Sequence, residues 1–243
     1  MQRRRNGLEF SSVPLLIVVL FGFLAFVVQR LAGRGGLQEL ERRALWILWF
    51  ALVAWGGVTG VLSATGLYVS EGFLSHSPGY WLPFVPVVIT LILVTSSASL
   101  REGLRKLVDR TPPHWFCAIH AVRILAVGSL FKAALGQFPR EFAWYVGIPD
   151  LLFGLSAVPV TLLVSRRNPE SRTLVAWHLA GAMVILVPVL GLMHRFMHDP
   201  LFSVLLTLPM VFAPTLVVPL LVMLNLLVAW RLTEHVWRRP QSL

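Results

Sequence analysis

Between Trp115 and Phe138 an otherwise apolar run holds His120, Arg123 and Lys132. An ionisable group at the centre of a bilayer costs about 3 kcal/mol or more, so each needs a chemical reason. Arg123 needs the strongest. It lies about 12 Å along a helix from Trp115, at 1.5 Å per residue, and its guanidinium does not give up its proton. The planar fork of arginine grips carboxylate or phosphate at two points. Arg123 is therefore the candidate anchor for a small anionic or polar ligand.

His120 precedes Arg123 by three residues and shares its helix face. His178 enters another apolar run at matching depth, and Asn225, Ser96 and Ser97 approach the same level from two more. These groups predict a polar chamber in the inner half of the membrane. A second chemistry fits the same residues: haem b held between His120 and His178, since imidazole is a standard axial ligand of haem iron. Ala176, Ala180, Gly181 and Ala182 would give a flat macrocycle room, although small residues equally serve close helix packing. A third reading is a polar network that only holds the bundle together.

Two more constellations stand apart. Lys132 and Asp150 lie near the outer ends of their runs, away from Arg123 close to mid-bilayer, and read as a structural ion pair. His194 and His198, four residues apart with Met193 and Met197 beside them, suit copper or another divalent metal, with Asp199 as the nearest further ligand. Enzyme constellations are absent: there is no P-loop, glycine-rich dinucleotide turn, nucleophile elbow or HExxH. The lone cysteine, Cys117, offers neither a disulfide framework nor a thiolate cage. The expectation is a protein that handles a ligand without catalysing a reaction.

The elements that must position these residues follow from hydropathy. Of 243 residues 56% are hydrophobic and only 13% charged, about half the charge of a soluble domain. Crossing the hydrocarbon takes about 20 apolar residues, and seven runs qualify. They cover residues 12–31, 44–69, 80–100, 115–138, 146–164, 174–193 and 202–230. All must be helices, because a backbone in lipid has to satisfy its own hydrogen bonds. The prediction is an all-α polytopic membrane bundle forming one domain over residues 1–243. The basic N-terminal stretch before the first run resembles a signal peptide, but the run is too long and lacks a small-residue cleavage site, so it is kept as a span.

The net charge of +10 does not imply nucleic acid, because the arginines sit in short gaps and form no basic groove. They follow topology instead. The gaps after the first, third and fifth runs, and the C-terminal tail, carry most of the Arg and Lys, which puts them and the C-terminus inside. The N-terminus is then outside, with Arg3, Arg4 and Arg5 dissenting. Trp115 and Trp177 open their runs at one interface, Tyr80 and Trp81 at the other. Gly56, Gly60 and Ala64 space small residues for close helix contact. Pro209, Pro214 and Pro219 predict a kinked last helix.

The stretch RILAVGSLFKAALGQFPREFAWYVGIPDLLFGLSA resembles a segment of uncharacterised bacterial multi-pass inner-membrane proteins. Arg123, Gly136, Gln137, Pro139, Gly147, Asp150 and Gly154 carry the likeness, over about a seventh of the chain. It implies a bacterial inner membrane and no particular activity.

Overall fold

A computed structural model describes residues 11–75, 81–167 and 171–238. Among them there are helices and no strands. Helix α1 spans Val13–Gly33 and α2 spans Glu39–Ala64. The start of α2 is fixed by a capping box, in which the Gln38 backbone N–H donates to Glu41 Oε2 at 2.8 Å. After a 3₁₀ turn at Leu67–Val69 and the short α3 (Glu71–Ser75), a 3₁₀ turn at Leu82–Phe84 leads into α4, Val85–Ser96.

Helix α5, Ala98–Asp109, turns away from this segment by 109°. Ser97 makes the corner, its hydroxyl accepting the Leu100 N–H at 3.1 Å as the α5 cap. The third run is therefore shorter than expected. Leu82–Ser96 has 3 residues in 3₁₀ and 12 in α conformation, roughly 22 Å at helical rise. The residues from Ala98 onward form an amphipathic helix, with Leu100, Gly103 and Leu107 buried.

The next passage runs through α6 (Pro113–Ile119), a 3₁₀ stretch at His120–Ala126 and α7 (Val127–Ala134). The return starts at α8 (Arg140–Phe142), passes a π turn at Ala143–Gly147 and continues as α9, Ile148–Arg166. Helix α10 covers Ser171–Met197. The last passage is α11, Val218–Arg238, preceded by a π turn at Ala213–Val217.

Six helical stretches are long and apolar enough to cross a membrane, and the bent Leu82–Asp109 pair makes a seventh if counted as one. The expected last span loses its first part: Phe202–Leu206 is a separate 3₁₀ turn, and the apolar passage begins at Ala213. Pro214 falls in the first turn of the π segment, where its missing N–H leaves no helical bond unmade. This passage is the centre of the bundle, with 61% of its apolar window buried against 17–33% for the others.

Contacts define two ends. At one, Lys106 pairs with Glu41 at 2.6 Å, Arg110 donates to the Gly36 carbonyl at 2.9 Å, and Arg231 pairs with Asp109 at 2.5 Å. At the other, Ser63 donates to the Leu206 carbonyl at 2.9 Å and Arg195 pairs with Glu141 at 2.5 Å. Each end has its own apolar core. One is built around Leu31, Leu45, Leu107 and Phe116, the other around Tyr68, Phe138, Phe196 and Leu205. The small residues of α2 serve contact between helices. A Cβ on Gly56 would come within 2.8 Å of Leu216, and one on Gly60 within 3.1 Å of Phe212. Arg3, Arg4, Arg5 and Tyr80 lie outside the described residues.

Candidate functional site: a buried ion pair beside a cavity

Arg123 sits in the 3₁₀ stretch between α6 and α7, 1% exposed. Its Nε donates to Asp150 Oδ1 at 2.5 Å and its Nη1 to the Gly181 carbonyl at 2.8 Å. Its guanidinium carbon lies 4.4 Å from the centre of the Phe153 ring, within cation–π range. This corrects two expectations. A carboxylate does reach the level of Arg123, and Asp150 is not the partner of Lys132. Among the described residues Lys132 has no ion pair. The reason is where the helix begins. The passage carrying Asp150 starts at Arg140, not Val146, so Asp150 is ten residues in, about 15 Å from the end. Arg123 is likewise ten residues from Pro113, where its own passage starts. The two meet near mid-depth.

Two glycines make the meeting possible. A Cβ on Gly154 would stand 2.6 Å from the Ile124 nitrogen and 2.8 Å from the Arg123 carbonyl carbon, distances that backbone atoms do not tolerate. Only glycine lets α9 come this close to the 3₁₀ stretch, whose tighter winding also narrows the partner. Asp150 is one turn earlier on the same face of α9. A Cβ on Gly181 would run into the Phe153 ring and approach Asn225 Nδ2 to 2.8 Å. Its absence brings the Gly181 carbonyl within reach of Arg123. Sequence reasoning passed over Phe153, met Gly154 only in the resemblance, and read Gly181 only as room for a macrocycle or close packing. The available signal was a glycine inside an apolar helix, which costs about 1 kcal/mol against alanine and so needs a packing reason.

His120, His178 and Asn225 form a second cluster on the side of Arg123 nearer the basic end. All three are at most 1% exposed. His178 Nδ1 lies 2.8 Å from Asn225 Oδ1; with that oxygen accepting, Nδ1 carries the proton. The His120 and His178 rings meet edge to face, centres 5.8 Å apart at 64°. Phe153 and Trp177 complete the packing around His120 at 5.6 and 5.7 Å. For the haem reading the deciding feature is the space beside His178. The room left by Gly181 is filled by Phe153 and Asn225. Trp177, expected at the interface, stacks on Phe153 at 4.5 Å and donates to Ser156 Oγ at 3.1 Å.

The inner-half polar chamber is also corrected. Ser96 is exposed and donates to the Ile92 carbonyl of its own helix at 2.7 Å, while Ser97 caps α5. Neither faces Arg123. The cavity lies on the other side of the ion pair. It has a volume of about 150 Å³ and runs from Arg123 and Asp150 past Ser129 to Lys132, Ser12 and Met210. Its remaining walls are almost wholly apolar. Lys132 is half-buried along it.

His194 and His198 are adjacent, ring centres 4.5 Å apart. His198 Nδ1 is engaged at 2.6 Å by the His194 carbonyl. Among the described residues no group of three His, Cys, Asp or Glu side chains is placed to hold a metal ion, so the expected pair lacks a third ligand.

The chain belongs to a family defined by a domain of unknown function (DUF8737), whose family model matches residues 80–233. Comparison with curated proteins finds no match, and neither does comparison with solved structures. The matched segment contains the whole ion-paired centre and the histidine cluster. Helices α1 and α2 lie outside it.

Proposed function

We propose that this protein spans a bacterial inner membrane seven times, N-terminus outside and C-terminus inside. It takes a small anionic or polar ligand into the cavity beside Arg123 and Asp150, and serves as a carrier or receptor-like sensor and not as an enzyme. The observation that carries the reading is Lys132: a cation without an ion pair among the described residues, lining a largely apolar cavity of about 150 Å³. A cation in an apolar wall favours a counter-anion. The anchoring role thus passes from Arg123, which Asp150 neutralises, to Lys132, with Arg123 and Asp150 forming the floor. The gathering of Arg110, Lys106 and Arg231 at one end supports a cytoplasmic assignment of that end. The resemblance of the Arg123–Gly154 stretch supports the bacterial inner membrane.

The test fills the cavity without touching a charge. Gly128 lines it, and a Cβ there meets nothing nearer than Ser12 Oγ at 3.9 Å. Native mass spectrometry of protein drawn from its own membranes is expected to show a retained small molecule. Gly128→Leu should expel it while keeping the thermal midpoint. Identical adducts on the two proteins, or none on the natural one, would refute the ligand reading and leave the ion pair as a structural clamp.

A further inference from the structure

A second cavity, also about 150 Å³, lies at the basic end between the last turn of α1 and the corner joining α5 to α6. Three arginines line it, Arg30, Arg34 and Arg110, and no carboxylate does. None of the three has an ion pair among the described residues. The nearby carboxylate of Glu41 is taken by Lys106 at 2.6 Å and by the Gln38 N–H. Asp109 is taken by Arg231. Arg110 spends one Nη1 bond on the Gly36 carbonyl, which holds its fork against the cavity. Arg30 lies over the Trp115 ring, 4.9 Å from its centre. The floor supplies an independent observation. Thr111 is 4% exposed, lines this cavity, and its hydroxyl has no hydrogen-bond partner among the described residues. A buried hydroxyl without a partner is destabilising, and a bound acceptor in the cavity would relieve it.

We propose that this cavity binds a phosphate group. Guanidinium forks pair with phosphate oxygens at two points, three of them exceed the charge of a single carboxylate, and Thr111 adds a neutral donor. Trp115 marks the depth of a membrane interface, where basic pockets between helices receive anionic headgroups. The phosphate is therefore that of an anionic phospholipid or of a soluble phosphate compound. The site does not depend on the ligand reading of the central cavity and shares no lining residue with it.

The test uses the full chain in nanodiscs of phosphatidylglycerol or of phosphatidylcholine, and in detergent with inorganic phosphate. The readouts are thermal midpoint and lipid retained in native mass spectra. Phosphatidylglycerol should be retained and should raise the midpoint, and phosphatidylcholine should do neither. Arg34→Gln and Arg110→Gln should each weaken retention about fivefold. Thr111→Val, which changes no charge and little volume, should weaken it less and stay folded. Arg43→Gln, which removes an equal charge outside the cavity, should leave it unchanged. Equal protection by inorganic phosphate, abolished by the same variants, assigns the site to a soluble phosphate. The site is overturned if phosphatidylcholine is retained equally, or if Arg110→Gln and Thr111→Val bind as the natural protein does.

Discussion

Arg123 and Arg231 are both held by an aspartate, but in different ways. Arg231, at the basic end, has both carboxylate oxygens of Asp109, at 3.1 and 2.5 Å, and also pairs with Glu234 one turn along its own helix. Arg123, in the middle of the bundle, reaches one oxygen of Asp150 and a backbone carbonyl, and its Nη2 has no partner among the described residues. At the basic end two carboxylates, one on α5 and one a turn along α11, take up the guanidinium's bonds. At mid-depth each partner has to be delivered by a separate helix, and the delivery depends on glycines that let the backbones touch.

The comparison can be broken by substitution, and the largest effect is expected at Asp150. Asp150→Asn leaves a buried guanidinium without its counter-charge and should cost about 3–5 kcal/mol. Arg123→Met combined with Asp150→Leu should cost less than either single change. Reversible unfolding in detergent micelles would measure this, and additive losses would mean that the pair is not coupled.

Gly154→Ala is next. It should cost about 1–3 kcal/mol, as overpacking does, by forcing α9 away from Arg123. It should also reduce the coupling measured between Arg123 and Asp150. A loss in stability with the coupling intact would separate the glycine from the ion pair.

At the rim the expected loss is smaller. Arg231→Gln should cost less than Asp150→Asn because its partners Asp109 and Glu234 are partly exposed, and that loss should shrink in high salt while the Asp150→Asn loss does not. Equal salt sensitivity would erase the distinction between the two arginines.

Lys132→Met should be smallest, within about 0.5 kcal/mol, and additive with Asp150→Asn in a double-mutant cycle. Coupling above about 1 kcal/mol would restore the Lys132–Asp150 pair and make Arg123 the solitary charge.

Much of this arrangement is legible in the residues alone. Hydropathy alone places the ends of the passages to within about six residues, except the start of the last, which the proline-bearing segment moves from 202 to Ala213, because the cost of putting a side chain in hydrocarbon is a local, additive property. The clustering of Arg34, Arg101, Arg105, Lys106 and Arg110 in alternate gaps, with Arg231 in the tail, likewise predicts that these segments share an end, where Arg34, Lys106, Arg110 and Arg231 are found. His120 and Arg123 stand out as groups that must face inward, since no lipid-facing position tolerates them.

The pairing of Arg123 with Asp150 was decided only in three dimensions. Hydropathy reads Arg140 and Glu141 as loop and starts the passage late, and an error of six residues moves Asp150 by about 9 Å. Neighbour identity is not a property of any single segment. It emerges when Gly154 and Gly181 let α9, the 3₁₀ stretch and α10 pack at backbone distance. The same packing puts Phe153 and Asn225 into the space beside Gly181. The sequence determined which groups had to be buried, because burial is a cost each residue carries by itself. Which of them would share a bond was left to the tertiary structure, because a bond depends on where two helices begin and how closely their backbones approach.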